Sequence, residues 1–179
     1  MTKDLPSAAA DGDEQRVALL LGDGAPVDMK DERGRTALDL AVWGRHASVV
    51  RLLLAAGADP EQRIGEFGEE TPLRFAAAQG AAEIVELLLD AGAMPDYRLD
   101  PTRATPLMVA AAENQADIVR MLLDHGADLK LRGRDKTALE WARGRGPDAT
   151  AVLLSRGAVD ATSEARKRKS PPTTGTPRI

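Results

Sequence analysis

Two histidines, His46 and His125, and a scatter of carboxylates are the groups from which metal or acid–base chemistry would have to be built in this 179-residue sequence. A metal site would need the two imidazoles to converge with further ligands, yet they stand far apart and each sits beside a helix-closing glycine segment. Asp23, Asp28 and Asp31 lack the alternating spacing and the closing glutamate of a calcium loop. Glu69 and Glu70 are adjacent, but in an exposed hairpin they read as a solvated charged loop rather than as an acid and a base. The sequence has no cysteine, which excludes disulfides, thiolate metal sites and cysteine nucleophiles. Nor does it contain a phosphate-cradling loop ending in Gly-Lys-Ser/Thr, a GxSxG elbow or an HExxH pair. The expectation is a non-enzymatic protein with no catalytic residue, no cofactor and no metal.

If the side chains do no chemistry, the elements that carry them must supply the function. Aromatic residues make up only 3% of the chain, so a core must be assembled from Leu, Val, Ile and Ala. Small side chains of that kind suit closely stacked helices. The N-terminus, MTKDLPSAAADGDEQ, has no apolar segment of signal-peptide length, and no run approaches the length of a membrane span. The expected location is the cytoplasm, without membrane association. A net charge of −4 argues against general affinity for nucleic acid.

The chain repeats itself. Glycines that follow leucine-rich segments fall at Gly24, Gly57, Gly92, Gly126 and Gly157, with spacings of 33, 35, 34 and 31. Leucines that open alanine-rich segments fall at Leu5, Leu38, Leu73, Leu107 and Leu139, with spacings of 33, 35, 34 and 32. Two independent markers thus give five units, near 5–30, 31–63, 66–98, 100–131 and 132–161, in an array spanning 1–161.

Local chemistry explains each unit. Thr36, Thr71, Thr105 and Thr137 stand where a first helix must begin, with a hydroxyl able to accept from the free N–H groups of its first turn. Pro72 and Pro106 follow two of them, at the first helical position, where no N–H is needed. A second helix carries an i, i+3, i+4 stripe: Val17, Leu20, Leu21; Val50, Leu53, Leu54; Val85, Leu88, Leu89; Val119, Leu122, Leu123; and Thr150, Leu153, Leu154. A lone helix pair cannot bury both its faces, so the units must stack into one elongated core. Val49, Ile84 and Ile118 precede the stripe in the central units, where Arg16 and Ala149 stand in the outer ones. This reads as capping at both ends, with a monomer as the expected state.

These motifs resemble ankyrin repeats. Thr71-Pro72-Leu73 and Thr105-Pro106-Leu107 are similar to the TPLH-like turn of that family, and Gly57-Ala58-Asp59 and Gly126-Ala127-Asp128 to its GAD closure. The resemblance implies an all-α helix-pair solenoid, L-shaped in section, with hairpins projecting as a row of fingers. It departs at one position: the expected histidine is Asp39, Arg74, Met108 and Glu140, which implies some loss of local stability. The fifth unit, shortened at Gly144 to Asp148, is expected to have the least regular first helix.

The resemblance also implies a protein partner bound by the fingertips and the exposed face of the first helices. Carried onto this sequence, that surface comprises Glu32, Arg33, Arg35 and Trp43; Phe67, Glu70 and Gln79; Thr102 and Glu113; and Arg134, Lys136 and Arg145. In so aromatic-poor a chain, Trp43 and Phe67 are the expected apolar anchors, whereas Trp141 replaces Leu40, Phe75 and Val109 at what reads as an inward position. Acidic residues gather in the first unit and third finger, and Arg132, Arg134, Lys136, Arg143 and Arg145 in the last, so a bound chain would be oriented by charge. Beyond Ala161 the pattern stops. Residues 162–179, with Arg166-Lys167-Arg168-Lys169, read as a disordered basic tail, and an alternative function is a nucleic-acid- or polyanion-associated factor using that tail and the last fingers.

Overall fold

A computed structural model describes residues 4–64, 70–98 and 103–158. Phe67, Thr102 and the basic tail lie outside the described residues. The helices come in pairs. The first members are α1 (Leu5–Ala10), α3 (Ala37–Trp43), α5 (Pro72–Gln79), α7 (Pro106–Ala112) and α9 (Ala138–Ala142). The second members are α2 (Glu14–Gly22), α4 (Ala47–Ala55), α6 (Ala82–Asp90), α8 (Ala116–Asp124) and α10 (Pro147–Ser155). Each helix packs on its own pair mate and on its counterpart in the neighbouring unit, α1 on α3 through to α7 on α9, and α2 on α4 through to α8 on α10. The result is an all-α helix-pair repeat fold in two layers.

The first helices start where the threonines dictate. Each side chain accepts from the backbone N–H three residues on: Thr36 from Asp39 at 3.2 Å, Thr71 from Arg74 at 3.3 Å, Thr105 from Met108 at 3.3 Å and Thr137 from Glu140 at 3.4 Å. Asp4 does the same for α1, accepting from Ser7 at 2.9 Å. The second helices end in left-handed glycines, with φ of 91° at Gly57 and 92° at Gly92, a conformation that costs a residue with a Cβ about 1–2 kcal/mol. Between units the chain turns through isolated antiparallel bridges, Lys30 with Thr36, Ile64 with Glu70 and Gly133 with Lys136, which are the bases of the fingers.

The core lies between the layers. Val17, Val50, Val85 and Val119 are fully buried, as are Leu53, Leu88, Leu122 and Leu153. Burial of one such leucine contributes about 1.5–3 kcal/mol, so this stripe outweighs any single hairpin bond. At the ends the stripe thins: Leu20 and Leu21 are half-buried, and Leu154 is 55% exposed, contrary to the sequence expectation that it points inward. No further unit covers those faces among the described residues.

The position at which the chain departs from the family motif is filled by four different devices. Asp39 is buried at the start of α3. Arg74 donates through Nε to the Ala104 carbonyl of the next unit at 3.1 Å and is ion-paired with Glu70. Met108 is buried and accepts the Thr105 N–H at its sulfur, at 3.5 Å. Glu140 accepts from Thr137 N at 2.7 Å, completing a reciprocal cap. The first helix of the shortened fifth unit, α9, is the shortest of the described helices.

Candidate partner-binding groove

On each first helix the residues either side of one position are buried. Leu38 and Ala41, Leu73 and Ala76, Leu107 and Ala110, and Leu139 and Ala142 face the second layer. The position between them, four residues after the threonine cap, is Leu40, Phe75, Val109 or Trp141; all four are half-buried, and Phe75, Val109 and Trp141 pack against the core edge. A single turn of helix cannot turn every side chain inward. These four therefore form an apolar column that crosses successive units on the finger side of the stack.

Trp141 belongs to this column and not to the buried core, which corrects the sequence reading. Its indole is only partly covered, and its Nε1–H donates to the Gly133 carbonyl of its own finger at 3.2 Å. Phe75 is corrected in the same way. Its ring lies parallel to that of Trp43, with centroids 5.1 Å apart and an interplanar angle of 8°. Trp43 is 56% exposed, so the pair is a flat aromatic plate open to solvent. Among the described residues the aromatic partner of Trp43 is thus Phe75 of the next first helix. The signal was present in the sequence: Trp43 stands seven residues after its cap, where the later units have Ala78, Ala112 and Gly144, leaving room for one large ring.

Toward the fifth unit the column opens into a notch of about 310 Å³. Val109 and Trp141 line it, together with Glu70, Arg74, Arg103 and Arg134. Glu70 is ion-paired with Arg74 and lies 3.8 Å from Arg103. Glu70 and Arg134, expected from different fingers, are thereby brought to one site. Arg74 and Arg103 were missed by sequence reasoning, because Arg74 sits at the altered family position and Arg103 precedes the cap without a motif.

The other expected contact residues are spread along the same side. Glu32 and Arg33 are exposed at the second fingertip. Arg35 is held within it: its guanidinium contacts Asp31 at 2.8 and 2.9 Å, and its backbone N–H and that of Arg33 donate to the same carboxylate at 2.9 Å. Burial tends to raise the Asp31 pKa, but these bonds and the arginine charge outweigh it and hold the group below its usual value. Gln79, Glu113 and Arg145 are exposed at the far ends of the first helices, and Arg134 and Lys136 on the last finger. His46 and His125 are apart: His46 Nε2 is 3.2 Å from the Ala10 carbonyl, and His125 Nδ1 is 2.9 Å from the Met121 carbonyl. Among the described residues no group of three potential ligands is placed to hold a metal, and no helix is long and apolar enough to cross a membrane.

Stacked helix pairs, finger-like turns and a half-buried apolar column define a helix-pair repeat protein. Residues 73–165 match the family model "Ankyrin repeats (3 copies)" and residues 5–54 match "Ankyrin repeats (many copies)", and the chain belongs to the ankyrin-repeat family. Ankyrin repeats generally mediate protein–protein interaction. Among similar proteins is human (Homo sapiens) "Ankyrin repeat domain-containing protein 63", 38% identical over 86 residues, which is 48% of this chain and 22% of that protein. Another is mouse (Mus musculus) "Ankyrin repeat and SOCS box protein 16", 44% identical over 81 residues, 41% of this chain and 17% of that one. Human "Mitochondrial disaggregase" is 50% identical over 56 residues, 31% of this chain and 8% of that protein. The chain spans less than a quarter of the length of these curated relatives.

Proposed function

We propose that this protein is a non-enzymatic binding module that holds a segment of another protein against the finger side of its first helices. The observation that carries the reading is the Trp43–Phe75 plate. Tryptophan exposed to 56% in a chain with two tryptophans places costly apolar area in water, and stacking on Phe75 fixes its orientation in advance of any contact. Aromatic side chains held in this way anchor interfaces, while the surrounding polar residues, here the fingertips, set the rim. Five units within 1–161 form the array in this reading, and it acts as a monomer in the cytoplasm, where a chain without cysteine is at no disadvantage. Residues 162–179 are then an appendage to the groove.

Affinity capture from cell extract with the full chain, followed by mass spectrometry, supplies the partner. Trp43→Ala is then expected to weaken its binding at least about tenfold, the loss of one anchor of 1.4 kcal/mol or more. Its melting temperature should fall by less than about 5 °C, since only a surface stacking contact is lost. Unchanged affinity with a large fall in melting temperature would show that Trp43 is structural. Loss of binding on removal of residues 162–179 alone, with Trp43→Ala silent, would move the function to the basic tail.

A further inference from the structure

We infer that the array is hinged between its second and third units, with the Trp43–Phe75 stack as the wedge that sets how far the finger side opens there. The first two units and the last three then move as two blocks. The inference concerns the free chain and goes beyond the binding reading, since it needs no partner.

Packing in the two layers differs at this junction. In the second layer α4 lies against α6 as fully as α2 against α4 and α6 against α8. In the first layer α3 and α5 make the least extensive contact of the four successive pairs. Helix length is not the cause, since α3 and α5 have 7 and 8 residues while α1 and α9, which pack more fully on their neighbours, have 6 and 5. The side chains are the cause. Packed helices stand about 8–10 Å apart according to the size of the groups between them. Trp43 is seven residues after its cap and Phe75 four after the next, and the same two positions hold Ala78 and Val109, then Ala112 and Trp141, at the following junctions. Two rings stacked at 5.1 Å therefore stand where each later junction has at most one.

The second layer supplies the pivot. Arg51 bonds Glu83 across the junction at 3.1 Å, and in the turns that follow these helices Glu61 accepts the Met94 N–H at 2.6 Å. Where first helix turns into second, the other junctions carry a side-chain clamp. His46 Nε2 lies 3.2 Å from the Ala10 carbonyl, Gln115, its amide oriented to suit both, bonds Ala77 and Gly80, and Asn114 accepts the Ala149 N–H at 3.0 Å. The residue that corresponds to His46 and Gln115 in the third unit is Ala81, whose methyl group can neither donate nor accept. A hinge needs one interface that holds and another with little packed against it. The junction offers both: α4 on α6 holds, while α3 and α5 are kept apart by two rings of which Trp43 is 56% exposed.

Because the chain has no cysteine, spin labels can be attached in pairs to the full chain at introduced cysteines alone. Ala10→Cys with Gln79→Cys crosses the junction, and Gln79→Cys with Arg145→Cys does not. All three sites are exposed, at or just beyond the ends of first helices, and each pair spans two junctions. Double electron–electron resonance should give a broader distance distribution for the first pair than for the second. Trp43→Ala should shorten the mean distance of the first pair by about 1–2 Å, the range over which helix spacing follows side-chain size, and leave the second pair unchanged. Phe75→Leu, which places there the residue that the second unit has as Leu40, should shift the first pair in the same direction and keeps the wedge testable if Trp43→Ala disturbs folding. Equal widths in the two pairs would overturn the hinge. A broad first distribution that ignores both substitutions would overturn the wedge, and shifts of equal size in both pairs would replace it with a general loosening of the array. Loss of partner binding in Trp43→Ala with both distributions unchanged would likewise overturn the wedge while leaving the groove standing.

Discussion

Met108 and Glu140 occupy the same place in successive units and close the same turn with unrelated chemistry, one through a buried sulfur and the other through a carboxylate that accepts the Thr137 N–H at 2.7 Å. In these two units the position of the missing histidine is held by another group that reaches the cap. Glu140→Ala removes the reciprocal half of a cap and should cost about 0.5–2 kcal/mol, read as a fall of a few degrees in melting temperature, whereas Glu140→Gln should keep most of it. Carboxylates in the turns that follow the second helices behave differently. Asp96 accepts the Asp128 N–H at 2.9 and 3.2 Å, and Glu61 accepts the Met94 N–H at 2.6 Å, each tying one unit to the next. Burial raises the pKa of both; for Asp96 the neighbouring Asp128 charge adds to this, against the lowering effects of its backbone bond and Arg98. A carboxyl with a raised folded pKa holds its proton more tightly folded than unfolded. Its contribution to stability is thus greatest below the unfolded value and is lost as pH climbs through the folded one. Asp96→Asn should accordingly be at least as stable as wild type by urea unfolding at pH 7, with the difference closing as pH falls below the carboxylate range. Strong destabilisation at pH 7 would show that the ionised bond, not the burial, dominates.

At the scale of the helix pair, most of the architecture was readable because each signal had a local cause. Threonine caps, first-position prolines and left-handed glycines act within a few residues, so sequence spacing alone placed the starts and ends of the helices. The column Leu40, Phe75, Val109 and Trp141 was misread because an apolar residue on a short helix looks inward until the neighbouring layer is seen. Contacts between units were hidden for the same reason. His46 reaches the Ala10 carbonyl of the unit before it at 3.2 Å. Gln115, with its amide oriented to satisfy both ends, donates to the Ala77 carbonyl at 2.8 Å and accepts from Gly80 at 3.3 Å. The corresponding residue of the third unit is Ala81, which offers no such bond and lies beside a cavity of about 210 Å³. Ala81→Gln should restore the clamp and raise the melting temperature by about 2–4 °C, the scale of one added hydrogen bond in a chain of this size. An unchanged or lower value would show that the cavity is too wet or too wide to be bridged.

Across the whole molecule, stability is set by interfaces between neighbours, since each unit buries its stripe only against the next. Leu88 lies in a central second helix with α4 on one side and α8 on the other, while Leu153 lies in α10, which among the described residues has one neighbouring second helix, α8. Both are fully buried, and truncation of such leucines to alanine costs about 2–5 kcal/mol. Leu88→Ala should therefore lower the melting temperature more than Leu153→Ala, because it weakens two interfaces. Binding draws on the same stack without altering it. Trp43 and Phe75 come from different units, as do Arg103 and Arg134, so the groove exists only when the units are in register. The most direct test uses Trp141→Phe, which leaves Trp43 as the remaining tryptophan of the two in the chain. Titrated with the captured partner, this protein should show a blue shift of its tryptophan emission and protection from acrylamide quenching as Trp43 leaves water. Emission and quenching that stay unchanged at saturating partner would contradict binding in the groove.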